Sequence, residues 1–335
     1  MSERIPVIVL TGYLGAGKTT LLNRILSGDH GRRYAVIVNE FGEIGIDNEL
    51  ILSAEEELFE MSNGCICCTV RGDLIRTLHQ LLSGHGSFDC IAIETTGIAD
   101  PGPVVQTFFV DPFLQARTFV DSVTTVVDAR HIGLWLASSC EAIEQIAFAD
   151  QIVLNKTELV AAEELRRIEA RLKKLSPLAP IHRAQRADVA LEKLLGRRSF
   201  DIQHILSLEP DFLDPAHDEA AHVHDAHCID HDHDHDNSIS SVSLISHTPV
   251  DGSRLTVWLN GLVATGGRDI LRAKGIFAVK DEERRLVFQS VHMLLEGDFQ
   301  RWWRADEHRC SRVVFIGRNL DRQALHAGLV SCEAA

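Results

Sequence analysis

No stretch of this 335-residue chain stays apolar for anything near the roughly 18 residues that a membrane-crossing helix needs, so that class of anchor is excluded. The N-terminus also lacks the charged-then-apolar order of a signal peptide, because a short apolar run at residues 5–10 passes straight into a glycine-rich segment. A cytosolic protein is expected. Basic residues are scarce: 33 Lys and Arg stand against 48 Asp and Glu, a formal net charge of -15. The resulting field repels nucleic acid and anionic membrane surfaces, and it suits cations. Neither an internal repeat nor a coiled-coil heptad is present, and no Ser, His and Asp set has the context of a hydrolase triad. Cysteines number only eight, and in a reducing compartment they read as thiols or metal ligands rather than disulfides.

What is present is an ordinary globular composition, 45% hydrophobic and 24% charged, on a chain long enough for about two domains. Short apolar runs at residues 5–10, 33–39, 90–93, 124–127 and 151–154 read as core strands. They alternate with helical stretches at 19–26, 73–82, 141–149 and 161–175, the pattern of an α/β fold with a parallel sheet covered by helices on both faces. Residues 211–236 then carry nine Asp or Glu, seven His and no Lys or Arg. Too little apolar surface is available there to offset chain entropy, so a linker or insertion is expected. Beyond it, a strand at 241–247, a helix capped by Asp251 with Leu255, Trp258, Leu259 and Leu262 on one face, strands at 275–280, 286–294 and 312–317, and a closing helix at 321–327 describe a small α+β domain. The expected organisation is therefore 1–198, 199–240 and 241–335. Trp302 and Trp303 read as packing for the last of these, with a client-contact surface as the alternative.

Residues 12–19, Gly-Tyr-Leu-Gly-Ala-Gly-Lys-Thr, match the phosphate-loop pattern between an expected strand and an expected helix. Glycines let successive backbone N–H groups turn inward around a polyphosphate while the helix offers its positive end. Gly12, Gly15, Ala16, Gly17, Lys18, Thr19 and Thr20 are thus candidate nucleotide-binding residues, with Lys18 on the β- and γ-phosphates and Thr19 on Mg2+. Glu94, at the end of the 90–93 strand, can hold Mg2+ or its water, and Gly97 can approach the γ-phosphate. Lys18, Glu94 and Gly97 are the candidate catalytic set, and Thr19, Asp47 and Glu94 the candidate Mg2+ set. Asn155, Lys156 and Glu158 follow the 151–154 strand where guanine-binding proteins carry Asn-Lys-x-Asp. A carboxylate there accepts from the guanine N1 and N2 donors, which adenine does not offer. Glu158 is one methylene longer than the usual Asp.

Cys65, Cys67 and Cys68 follow a turn signal at Asn63-Gly64 and place three thiols in four residues. Such a cluster fits one soft cation, and Zn2+ prefers tetrahedral thiolate and imidazole sites. Three thiols leave that ion one ligand short, so the site reads as open or transferable, completed by an acid, a His or water. Acids lie nearby in residues 39–47, which include Glu40, Glu43 and Asp47, in a segment where nucleotide switches keep a γ-phosphate-sensing loop. A second region, His222, His224, His227, His231, His233 and His235 with His217 and Cys228, can take Zn2+, Ni2+ or Co2+ in many geometries as an accessory site. Cys90, Cys140, Cys310 and Cys332 are isolated and read as core or surface thiols.

With these motifs in this order, and with residues 94–103, 271–275 and 287–291, the chain resembles the CobW-type branch of the G3E family of P-loop GTPases over nearly its whole length outside the Asp/His tract. The resemblance implies a GTPase with a small CobW-type C-terminal domain that inserts or carries a metal, mainly zinc, with cobalt for cobalamin synthesis and iron for nitrile hydratase activation as other assignments. It implies Lys18 and Thr19 on phosphate and Mg2+, residues 155–158 on the base, and Cys67 with Glu43 among the Zn2+ ligands. The number of thiols binding at once stays open. The expected partners are GTP, zinc and a client metalloprotein, with neither nucleic acid nor membrane, and a homo-oligomer is left open. The competing readings are a zinc buffer with a regulatory nucleotide site and a P-loop kinase of a small molecule.

Overall fold

The structure is a computed structural model that describes residues 4–28, 31–38, 57–60, 69–84, 88–199, 239–266, 269–291, 293–303 and 307–334. Two compact units divide the chain, one of Met1–Glu169 with Ala179–Phe200, the other of Ala170–Leu178 with Asp201–Ala335.

The first unit is a seven-stranded sheet in the order β3-β2-β4-β1-β5-β6-β7, every neighbouring pair parallel. Its elements are β1 (Ile5–Thr11), α1 (Lys18–Leu26), β2 (Tyr34–Val38), β3 (Glu57–Glu60), α2 (Thr69–Ser83), β4 (Cys90–Glu94), α3 (Gly102–Val110), α4 (Pro112–Arg117), β5 (Thr118–Asp128), α5 (Ile132–Ser138), α6 (Cys140–Ala147), β6 (Gln151–Asn155), the first part, to Glu169, of α7 (Ala162–Leu175), and β7 (Ile181–Arg183). Continuous apolar runs such as Val7–Leu10, Ala35–Ile37 and Ile152–Leu154 are buried, as strands sandwiched between helix layers must be. Because β1 lies between β4 and β5, with β6 next, the loops after these four strands gather at one edge of the sheet.

Several elements extend or add to the sequence reading. β5 begins at Thr118 rather than near 124, since Asp121, Ser122 and Thr124 are buried in it and interrupt the apolar run. Asp121 is tolerated because it accepts the backbone N–H groups of Gly196 (2.9 Å) and Arg198 (2.7 Å), although burial still pushes its carboxyl above the ordinary carboxylate range. α4 is started by Asp111, which accepts from the N–H groups of Phe113 and Leu114 at 2.9 and 3.0 Å.

The second unit holds an antiparallel sheet in the order β11-β10-β9-β12-β8. Its strands and helices are β8 (Ile239–Ser246), α8 (Gly252–Gly266), β9 (Ile270–Phe277), β10 (Arg284–Val291), β11 (Leu294–Trp302), β12 (Ser311–Arg318) and α9 (Arg322–Ser331). The expected Asp251 cap is present, accepting the Arg254 N–H at 2.9 Å. Leu255 and Leu259 of α8 and Leu325 and Leu329 of α9 pack with Val242, Phe277, Phe288, Val313 and Phe315 into one core. The single strand expected at 286–294 is two: β10 stops at Val291, and β11 starts at Leu294 and pairs back on it. Trp303 is buried with the Arg285 guanidinium 5.2 Å from its ring centroid, whereas Trp302 is exposed. Packing accounts for one tryptophan of the pair. No helix among the described residues is long and apolar enough to cross a membrane.

Candidate nucleotide and metal site

The loop from Gly12 to Gly17 joins the end of β1 to the start of α1. Gly12 has φ 140, and a Cβ there would lie 2.2 Å from the Val126 carbonyl oxygen of β5, so only glycine lets the loop leave β1 this close to its neighbour. Gly17, at φ 107, caps α1 from the left-handed region, and its backbone passes against the Asn155 side chain. Lys18 folds back over this loop, with Nζ donating to the Gly12 carbonyl at 3.0 Å and reaching Tyr13 O at 3.5 Å. Its ammonium is thereby already held against the cradle that a polyphosphate would fill.

Thr19 Oγ1 donates to Glu94 Oε1 at 2.8 Å. Strand register makes this contact, because Glu94 lies opposite Leu10 at the ends of β4 and β1, and Glu94 is buried. A hydroxyl and a carboxylate meeting beside the phosphate loop are hard oxygen donors of the kind that Mg2+ takes. The loop after β4 is tied to β1 by Thr95, whose N–H donates to Leu10 O and whose Oγ1 donates to Thr11 Oγ1, both at 2.9 Å. At Gly97 a Cβ would sit 2.8 Å from the Leu14 nitrogen, so the loop rests directly on the phosphate loop.

The Asn155–Glu158 segment reaches the same place from β6. Asn155 is buried and uses both ends of its amide: Nδ2 donates to Ala16 O at 2.9 Å, and Oδ1 accepts the Ala187 N–H at 2.7 Å. It braces the phosphate loop against the turn after β7. Lys156, at φ 60, donates from Nζ to Gly15 O (2.8 Å) and Asp128 Oδ2 (2.7 Å). Glu158 lies in a single turn of 3-10 helix at Thr157–Leu159, exposed and able to meet a ligand from solvent.

Three residues of this arrangement are not singled out by the sequence reading. Asp128, at the end of β5, takes Lys156 and the His131 ring (Nδ1 at 2.9 Å). Burial alone would raise its carboxyl, but the His131 and Lys156 hydrogen bonds and the Lys156 charge bring it below the ordinary value. Ala187 sits in a turn where Arg186 and Ala187 have φ of 50 and 56, held by Arg24, which donates from Nε to Arg186 O at 2.9 Å and pairs with Asp188. Gln145 of α6 donates to the carbonyls of Gly97 and Ala99. Only Gln145 carries a local signal, a polar residue on the apolar face of a helix.

The proposed Zn2+ ligands Cys65, Cys67, Cys68 and Glu43, the proposed Mg2+ ligand Asp47, and the tract His222, His224, His227, His231, His233 and His235 lie outside the described residues. Among the described residues no group of three or more His, Cys, Asp or Glu could hold a metal ion. Cys90, Cys140, Cys310 and Cys332 are free thiols, and burial pushes Cys90 up to about 12, which keeps it protonated and unsuited to a metal.

Comparison with known proteins places this geometry among relatives. Residues 6–183 match the model of the CobW/HypB/UreG nucleotide-binding domain, and residues 239–333 match that of the cobalamin synthesis protein cobW C-terminal domain. The chain is 36% identical over 328 residues to the zinc chaperone YjiA of Escherichia coli, covering 96% of this chain and 97% of that protein. It is 34% identical over 361 residues to the zinc-regulated GTPase metalloprotein activator 1 of Schizosaccharomyces pombe, covering 96% and 84%. The crystal structure of the Zn(II)-bound E. coli YjiA GTPase superposes with a TM-score of 0.76 at 31% identity, covering 99% of this chain and all of that one.

Proposed function

The chain belongs to the CobW/HypB/UreG family of nucleotide-binding proteins, and on that premise we propose that it is a GTP-hydrolysing metallochaperone. It binds Zn2+ at the Cys65, Cys67, Cys68 and Glu43 cluster and passes it to a client metalloprotein. The observation that carries the nucleotide half is the convergence of Lys18, Thr19 and Glu94 at one end of the sheet, with Thr19 on Glu94 at 2.8 Å. The metal half rests on the thiol cluster and on relatives named as zinc chaperones.

In this reading Lys18 leaves the Gly12 carbonyl for the β- and γ-phosphate oxygens, and the amides of the phosphate loop line the rest of the polyphosphate. Thr19 and Glu94 would hold Mg2+, which supplies charge neutralisation at the phosphates when bound. Water attacks the γ-phosphorus as the bond from phosphorus to the β–γ bridging oxygen breaks, giving GDP and inorganic phosphate, with the water's proton passing to the phosphate. Glu158 selects guanine from the solvent side of the base, while Asn155 and Lys156 keep the phosphate loop and the base-side turn in register.

GTP is expected to bind at least about tenfold tighter than ATP with Mg2+ present, a difference of about 1.4 kcal/mol. A competition titration that finds equal affinities removes the guanine assignment. The two metal regions separate by deletion. Removing residues 211–236 should lower the number of zinc ions bound while the tightest affinity stays within about twofold, since clustered thiols hold zinc more tightly than alternating His and Asp. Loss of the tightest site in that deletion would transfer the cargo site to the histidine tract.

A further inference from the structure

Gln145 lies on the buried face of α6, 1% exposed, among Ala142, Ile143 and Ile146. Its Nε2 donates to Gly97 O at 3.2 Å and to Ala99 O at 3.0 Å. Both N–H bonds of the carboxamide are used in this way, and turning the amide over would set its oxygen against two carbonyl oxygens, so its orientation is fixed. The backbone of the same residue is anchored as well, its carbonyl accepting from Thr125 Oγ1 of β5 at 2.7 Å. Oε1, in contrast, is buried and has no hydrogen-bond partner among the described residues. A leucine would fill this position without desolvating an unused acceptor, so packing does not explain the carboxamide. The two loop carbonyls do.

The loop at 95–99 is thus gripped from two sides. Leu14 of the phosphate loop presses on Gly97, and Gln145 draws the Gly97 and Ala99 carbonyls toward α6. Because a trans peptide sets N–H opposite C=O, the second grip also turns the amide between Gly97 and Ile98 away from α6. We propose that Gln145 is a positioning residue that holds the 95–99 loop in the conformation GTP hydrolysis requires. This rests on the hydrolysis reading above. Gln145 makes no contact with Lys18, Thr19 or the base-side residues among its hydrogen bonds, so it acts on turnover through the loop and not on nucleotide binding.

The test uses the full-length protein and the Gln145→Leu substitution, which keeps the bulk and removes both donors. Steady-state turnover should fall about tenfold or more in kcat, with KM for GTP and affinity for GDP each within about twofold of the unsubstituted protein. Amide hydrogen exchange of peptides covering 95–99, measured with a non-hydrolysable GTP analogue bound, should speed up at least about tenfold while peptides from β1 and β6 are unchanged. Unchanged kcat in a folded Gln145→Leu protein, or kcat and GDP affinity falling together, would overturn the proposal. Should Gln145→Leu fail to fold, Gln145→Met, which also keeps the bulk and removes both donors, should give the same pattern, and an unchanged kcat there overturns the proposal equally. If the unsubstituted protein does not hydrolyse GTP, the hydrolysis reading fails by itself, and the exchange measurement still decides whether Gln145 holds the loop.

Discussion

Lys18→Ala is expected to lower GTP affinity by at least about a hundredfold, and ATP affinity with it. Removing this ammonium should delete the charge-assisted hydrogen bonds that the proposed mechanism gives it to two phosphates, worth together about 3 kcal/mol. The fold should survive, because the bonds from Lys18 Nζ to Gly12 O at 3.0 Å and Tyr13 O at 3.5 Å are of the ordinary kind, about 1 kcal/mol each. Isothermal titration with GTP, alongside thermal unfolding of the apo protein, separates the two effects. A hundredfold loss with a melting temperature only a few degrees lower is the expected pair of results. GTP affinity that survives the substitution would mean that the phosphates are not bound at residues 12–19.

The parts of this site legible in the sequence are those whose chemistry is local. A phosphate loop states itself in eight consecutive residues, and an Asn-Lys-x-Glu segment needs only the strand before it. Pairing is another matter. Thr19 meets Glu94 across 75 residues, Asn155 meets Ala16 across 139, and Gln145 meets Gly97 across 48. No periodicity encodes which of these touch, and it took the order of the sheet to bring them together. Asn155, expected on the base, is placed by that order between two stretches of backbone, with both amide ends in use.

In the fold, the core strands around β1 and the capped helix α8 were readable because apolar runs and an Asp at the right offset are strong signals. β3 and β7 were not, at four and three residues and with Glu or His and Arg among them. α3 escaped for the opposite reason: Val104, Val105, Phe108, Phe109 and Val110 make it apolar nearly all round, and a helix without a polar face shows no 3.6-residue period.

The second large effect expected is on the coupling between the two ligands. Residues 39–47 and Cys65 to Cys68 fall between the phosphate loop and Glu94 in the chain, where nucleotide switches respond to the γ-phosphate. Thermodynamic linkage then requires zinc and GTP to alter one another's affinity by a common factor, with typical couplings of about 1–3 kcal/mol. Cys67→Ala or Glu43→Ala should remove most of that coupling, a change of about 5- to 150-fold in how strongly zinc raises GTP affinity. GTP affinity without zinc should barely move, because neither residue is assigned to the nucleotide. GTP titrations of each variant with and without saturating zinc measure this directly. A variant that loses GTP affinity even without zinc would place that residue in the nucleotide site.

Zinc affinity of the unsubstituted protein, measured by competition with a chromophoric chelator in the apo, GDP-bound and non-hydrolysable-GTP-bound states, tests the central claim most directly. The account predicts the tightest binding with the GTP analogue and Mg2+, about 5- to 150-fold tighter than in the apo protein, with GDP giving less of that gain. Three indistinguishable affinities would leave a nucleotide site and a metal site that merely share a chain, and would contradict a chaperone driven by GTP.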